Sequence, residues 1–191
     1  MTALPIATTF QQVAVVSPYA VDGSAVVQVV CDKESGTAFY LGNGLFMTAK
    51  HVPVADEHCR IGPSLITIVS RGALDWSIVR ANFYPPYRVA YSCDRVPPGR
   101  DLLVTGYAEG NGWQVTTHLR ATDSRDRRDG SLETKGPIIP GQSGAPVADL
   151  DGVVYGIASW TRMADDDLDA LPASGIVEMA DTALCSSRKG R

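Results

Sequence analysis

Short runs of β-branched, aromatic and alternating residues return about every dozen positions along this chain, each bounded by glycine, proline, asparagine or aspartate. That rhythm restricts the fold to a sandwich or barrel of short strands. Strands are expected at 12–16, 25–31, 37–41, 45–48, 65–70, 77–81, 88–91, 102–107, 113–121, 131–134, 145–148, 153–160 and 174–178. No stretch sustains a helical period over three turns, and single turns are expected at 51–54 and 181–186. With 45% hydrophobic residues among 191, the chain can bury one sizeable core or two small barrels that share an interface. The segment SCDRVPPGR, 92–100, breaks the apolar runs with two prolines and a glycine. It reads as a linker, dividing the chain into units 1–95 and 96–191. The polar stretches 123–130 and 162–172 read as exposed loops, the second carrying Asp165, Asp166, Asp167 and Asp169.

A net charge of −4 excludes a general nucleic-acid binder, whose footprint is basic. The short runs Arg125-Asp126-Arg127-Arg128 and Arg188-Lys189-Gly190-Arg191 read as a solvated loop and a tail. No run approaches the roughly 18 apolar residues of a membrane span, and the first residues, MTALPIA, lack the pattern of a secretory signal. The expected location is therefore the cytoplasm of a cell or host cell, or a particle assembled there. Cys31, Cys59, Cys93 and Cys185 lack CxxC spacing, so neither a zinc ribbon nor a redox motif is suggested. In a reducing compartment they are expected to be free, buried thiols.

The chemistry centres on PGQSGAPV, 140–147, where Ser143 stands among glycines. Glycine is the default residue of tight turns, so this stretch alone supports only a turn. A catalytic serine also needs an imidazole to take its proton and an acid to orient that imidazole. Of three histidines, His118 lies within the expected strand QVTTHLRA and His58 in the polar loop ADEHCR. His51 follows a turn and an apolar strand in GNGLFMTAKHV, and a strand end positions a base accurately. Asp75 opens the apolar run LDWSIV, where a carboxylate beside a buried strand is costly without a partner. Asp101, before LLVTGY, is the reserve acid. A zinc hydrolase built on His51, His58 and Cys59 lacks recognisable ligand spacing.

TAKHV, LDWSIV and PGQSGAPV, in that order, resemble the His, Asp and Ser motifs of the trypsin/chymotrypsin-like serine peptidases. Other triad hydrolases use other orders. The resemblance extends over about residues 36–177 and takes in PPGRDLLVTGY and GIASW. It implies an all-β fold of two six-stranded antiparallel β-barrels, chymotrypsin-like, with the active site in the cleft between them. It further implies an endopeptidase with Ser143 as nucleophile, His51 as general base and Asp75 as the orienting acid. Gly141 and Ser143 take the oxyanion-hole positions, Ser159 a position supporting Asp75, and Trp160 the wall of the cleft. Pro137 falls at the floor of the P1 pocket with Ile138 and Ile139 after it, and Thr161 narrows the pocket, which implies small or apolar P1 side chains. The implied partner is a polypeptide, with a viral or phage polyprotein or the chain itself among the expected substrates, and no metal or other cofactor. The alternative is a catalytically silent protein of the same fold, such as a virion component that holds a peptide.

Three departures from the family pattern carry expectations of their own. Gln142 stands where members activated by cleavage have an aspartate that pairs with the new N-terminus, so this chain is expected to be competent as synthesised. No cysteine sits just before His51, so the disulfide that encloses the histidine is expected to be absent. Ala145 replaces a second glycine after the serine, a feature of divergent viral and bacterial relatives.

Overall fold

A computed structural model describes residues 15–16, 21–54, 58–109, 112–162 and 172–186. The first half contains β1 (Val15–Val16), β2 (Val26–Val30), β3 (Ser35–Gly42), β4 (Leu45–Thr48), β5 (Arg60–Ile61), β6 (Ser64–Leu65), β7 (Thr67–Arg71), β8 (Ser77–Arg80) and β9 (Tyr87–Arg88). The second contains β10 (Ala90–Tyr91), β11 (Asp101–Tyr107), β12 (Gln114–Arg125), β13 (Leu132–Lys135), β14 (Pro146–Ala148), β15 (Val153–Arg162) and β16 (Ala173–Glu178), followed by the short helix α1 (Ala183–Ser186). Alternation sets the strand faces: along β11, Leu102, Val104 and Gly106 are buried while their neighbours are half-exposed. The expected acidic run Asp165 to Asp169 lies outside the described residues.

Apart from the parallel two-stranded pair of β1 with β9, the strands form two curled sheets. One has the order β6-β5-β2-β3-β4-β8-β7. Its two ends, β6 and β7, are separated by Ile66 alone, so the sheet bends round into half a barrel. The other closes: β14-β11-β12-β13-β16 is completed by β15, which pairs with both β14 and β16, giving a closed six-stranded barrel, so of the two six-stranded barrels expected one is closed and the other is half a barrel. Segment β10 adds to β15 in parallel, so the chain already joins the second sheet at residues 90–91, just before the linker. Gly42 at φ 106°, Asn43 at φ 55° and Gly44 at φ 70° form the tight turn between β3 and β4. Among the described residues no helix is long and apolar enough to cross a membrane.

Two expectations are corrected. The cysteines are not free: Cys31 bonds Cys59, and Cys93 bonds Cys185. Strand register brings the first pair together, because Val30 lies opposite Arg60 in the β2–β5 ladder and the next residues outward are the two cysteines. The Cys31–Cys59 bridge encloses the segment that carries His51, so the expected absence of a disulfide around the histidine is also overturned. Strand β12 runs on to Arg125, pairing there with Leu132, so the polar stretch from 123 is strand before it is loop. Arg125 is not simply solvated either, because its guanidinium pairs with the buried Glu178.

Candidate active site

The cleft between the sheets receives one segment from the end of β4, one from the start of β8 and the turn before β14. His51 follows β4 by three residues. Its ring Nδ1 lies 2.8 Å from Asp75 Oδ2, and its backbone N–H donates to Asp75 Oδ1 at 3.1 Å. Ser159 on β15 donates its hydroxyl to the same Oδ2 at 2.5 Å. The carboxylate is therefore held by three bonds, two from the first sheet and one from the second. With Nδ1–H facing Asp75, Nε2 is left as the proton acceptor.

The electrostatics follow from this geometry. The hydrogen bond to Asp75 raises the His51 pKa above the ordinary imidazole value of 6.5, against a smaller opposing effect of burial. Burial pushes the Asp75 carboxyl up, but the bonds from His51 and Ser159 together outweigh it and leave the group below its ordinary 3.8. His51 keeps a side chain 44% exposed while Asp75 is at 22%, so the ring stays open to the cleft and the acid behind it is shielded. The loop between β7 and β8 fixes the His51 turn further. Lys50 Nζ donates to Gly72 O at 3.2 Å, and the Arg71 guanidinium donates to Pro53 O.

Ser143 sits in a turn whose two flanking glycines have positive φ, 91° at Gly141 and 86° at Gly144. A Cβ on Gly141 would come 2.5 Å from Tyr107 O, and one on Gly144 would strike Thr37 O. Only glycine fits either place. The N–H groups of Gln142, Gly144 and Ala145 bond to Ile139 O, Ala158 O and Gln142 O. Among the described residues, the N–H groups of Gly141 and Ser143 make no such bond. Their direction is nonetheless fixed, because a trans peptide holds N–H antiparallel to its own C=O. Glu109 N pins Pro140 O at 2.9 Å and Ala145 N pins Gln142 O at 2.8 Å, so both free N–H groups are turned the opposite way.

Thr37 is a part of this site that sequence reasoning missed, and of Gln142 it read only the missing charge. Thr37, fully buried on β3, donates its N–H to Ser143 O at 2.8 Å and its hydroxyl to Gly141 O at 2.7 Å. The same hydroxyl accepts from Tyr107 N at 2.9 Å. One threonine of the first sheet thus holds the turn of the second. No sequence signal marked it, since a threonine in a strand is commonplace.

Beside Ser143 lies a cavity of about 480 Å³ lined by Pro137, Ile138, Ile139, Pro140, Ser159, Trp160, Thr161 and Pro172. Pro137, Ile138, Ile139, Trp160 and Thr161 are thus brought to one cavity, and no described lining residue is charged. Thr161 turns its hydroxyl into the wall, accepting from Ile138 N at 2.8 Å and sharing a 2.6 Å bond with Ser174 Oγ. The Trp160 indole N–H is tethered to Asp129 at 3.1 Å and Ser131 at 3.0 Å, with Arg162 over the ring at 5.0 Å. Asp101 lies apart, against Arg120 at 3.2 Å and His118 at 3.8 Å on the second barrel. The zinc reading is removed by Cys59, whose sulfur is in a disulfide.

Comparison with known proteins bears on the fold and the family. No curated protein sequence matches significantly. Among solved structures, the Rv3671c protease of M. tuberculosis in its inactive form superposes with a TM-score of 0.68 at 22% identity, over 88% of this chain and 90% of that one. A human pathogenic astrovirus serine protease superposes at 0.62 and 17% identity, over 86% and 96%. The HtrA-type protease AlgW superposes at 0.65 and 18%, over 81% of this chain and 56% of that one. At these identities the likeness is one of fold. The model of the trypsin-like peptidase domain, in contrast, matches residues 36–157, well over half the chain. The chain therefore belongs to the trypsin-like peptidase family, as a trypsin-like serine protease acting on a polypeptide.

Proposed function

We propose that the protein is a serine endopeptidase in which residues 1–95 supply His51 and Asp75 and residues 96–191 supply Ser143 and the pocket. The observation that carries this reading is the carboxylate of Asp75 held at once by the His51 ring, the His51 backbone and Ser159. That arrangement fixes the tautomer a general base needs. His51 Nε2 takes the Ser143 hydroxyl proton as Oγ bonds to the scissile carbonyl carbon. The carbonyl electron pair moves onto oxygen, where the N–H groups of Gly141 and Ser143 receive it, each worth roughly 3–4 kcal/mol to the transition state. Collapse breaks the C–N bond, and the leaving amine takes the proton from His51. Water then hydrolyses the acyl-Ser143 ester by the same route. The apolar cavity supports a preference for small or medium uncharged P1 side chains.

Two disulfides among 191 residues favour a compartment that oxidises thiols over the cytoplasm expected from the amino-terminal sequence. Polyprotein processing in a host cytoplasm is correspondingly less supported than hydrolysis in an oxidising space. The testing experiment pairs peptide hydrolysis with fluorophosphonate labelling. Ser143→Ala and His51→Ala should each abolish turnover in a folded protein, and label should map to Ser143 in the wild type. Near-normal turnover in either variant would sink the assignment.

A further inference from the structure

Gln142, the residue immediately before Ser143, is fully buried, and its carboxamide is used at both ends. Nε2 donates to Val104 O at 3.3 Å on β11 and to Val115 O at 3.0 Å on β12. Oε1 accepts from Ile139 N at 3.1 Å and from Thr117 Oγ1 at 3.1 Å. The backbone adds a bond from Gln142 N to Ile139 O, so side chain and main chain together close a double ring on Ile139. Room for the stem comes from Gly106, where an added Cβ would lie 3.3 Å from Gln142 Cγ. A carboxylate of the same length has no donors for the two strand carbonyls, and an apolar side chain satisfies none of the four partners. The pocket is thus matched to a neutral amide.

We propose that Gln142 is a positioning residue: its amide bolts the 139–144 turn to the β11–β12 hairpin so that the Gly141 and Ser143 N–H groups face the cleft without help from any charged group. The role rests on the peptidase reading above and does not require contact with substrate. Pinning Ile139 limits rotation about Pro140, and that rotation would carry the Gly141 N–H out of the site. The device holds the turn without an ion pair to a new N-terminus.

The test compares the full-length protein with Gln142→Leu and Thr117→Val, using peptide amides and a peptidyl trifluoromethyl ketone, whose tetrahedral adduct on Ser143 carries an oxyanion. Gln142→Leu should lower kcat and the ketone affinity together by about 100-fold. KM should stay within about threefold, and the acid limb of the pH–rate profile should not move. A rise in KM matching the loss of kcat, or a ketone affinity left intact, would overturn the proposal. Should Gln142→Leu lack a cooperative thermal transition, Thr117→Val decides. That change removes one bond from a half-exposed strand position and should lower kcat and ketone affinity in parallel by about three- to tenfold. Unchanged values would overturn the role. A wild type that neither cleaves peptides nor labels at Ser143 fails the peptidase reading itself, whereas an active wild type with an equally active Gln142→Leu fails the role of Gln142 alone.

Discussion

Asp75 shows how much one residue can be asked to do. It accepts from a ring, a backbone and a hydroxyl, so its replacement by asparagine keeps the shape and loses the charge. Asp75→Asn should lower kcat by about 10⁴ near neutral pH, because an amide in that place favours the wrong imidazole tautomer. Asp101→Asn, acting on an exposed surface pair, should change little. The pH profile carries a second reading of the same contact. A general base must be neutral, and Asp75 raises the His51 pKa, so protonated, inactive enzyme persists to higher pH than for an isolated imidazole. The acid limb of kcat/KM in the wild type should therefore have its midpoint above 6.5 and should fall in Asp75→Asn. A wild-type midpoint below 6.5 would contradict the contact. The pairing of His51 with Asp75 was legible because each stands in a local motif. Thr37 was not, and neither were the bonds of the Gln142 amide, because both depend on which distant carbonyls and N–H groups they meet.

At the scale of elements, the pocket is a construction of the 136–142 turn against β15 and β16, braced by Thr161 and Ser174. An arginine or lysine entering it meets proline, isoleucine and a threonine whose hydroxyl is already engaged. Burying that charge without a partner costs several kcal/mol, more than added alkyl contact returns. Measured over peptides varied only at P1, kcat/KM should favour Ala, Val or Leu, and a tenfold preference for Arg or Lys would refute the argument. Most strands were legible from alternation and turn residues, β4 and β11 nearly to the residue. The two-residue β5 was not, since a strand that short has no period to read. The end of β12 was missed because the hairpin there is exposed, and polar residues serve a solvated ladder as well as a loop. Disulfide partners were hidden because the first pair depends on the β2–β5 register and the second on the docking of the helix against the linker.

For the molecule as a whole, the second disulfide joins the linker to the carboxy-terminal helix across 92 residues. The buried Glu178 nearby binds Val96 N at 2.8 Å and the guanidinium of Arg95 at 2.9 Å, so the linker is fastened twice. Loop-closure entropy for a link of that length is about 4–5 kcal/mol. Cys93→Ala with Cys185→Ala should accordingly lower Tm by about 10 °C in calorimetry. A drop of under about 2 °C would mean that Glu178 and its arginines hold the linker unaided. The first sheet's hydrophobic core is not self-sufficient either: beside Phe39, Phe46 and Val79 it contains Val154, Ile157, Val177, Met179 and Cys185 from the far end of the chain. On a ribosome, the part that carries His51 and Asp75 therefore emerges with its interior unfinished. At synthesis rates of roughly 5–20 residues per second, it waits about 5–20 s after Cys93 for Cys185 to be added. Until β16 and the helix with Cys185 have been added, the emerging polypeptide lacks the side chains that fill this interior, so the pairing of His51 with Asp75 is expected to become fixed only after them.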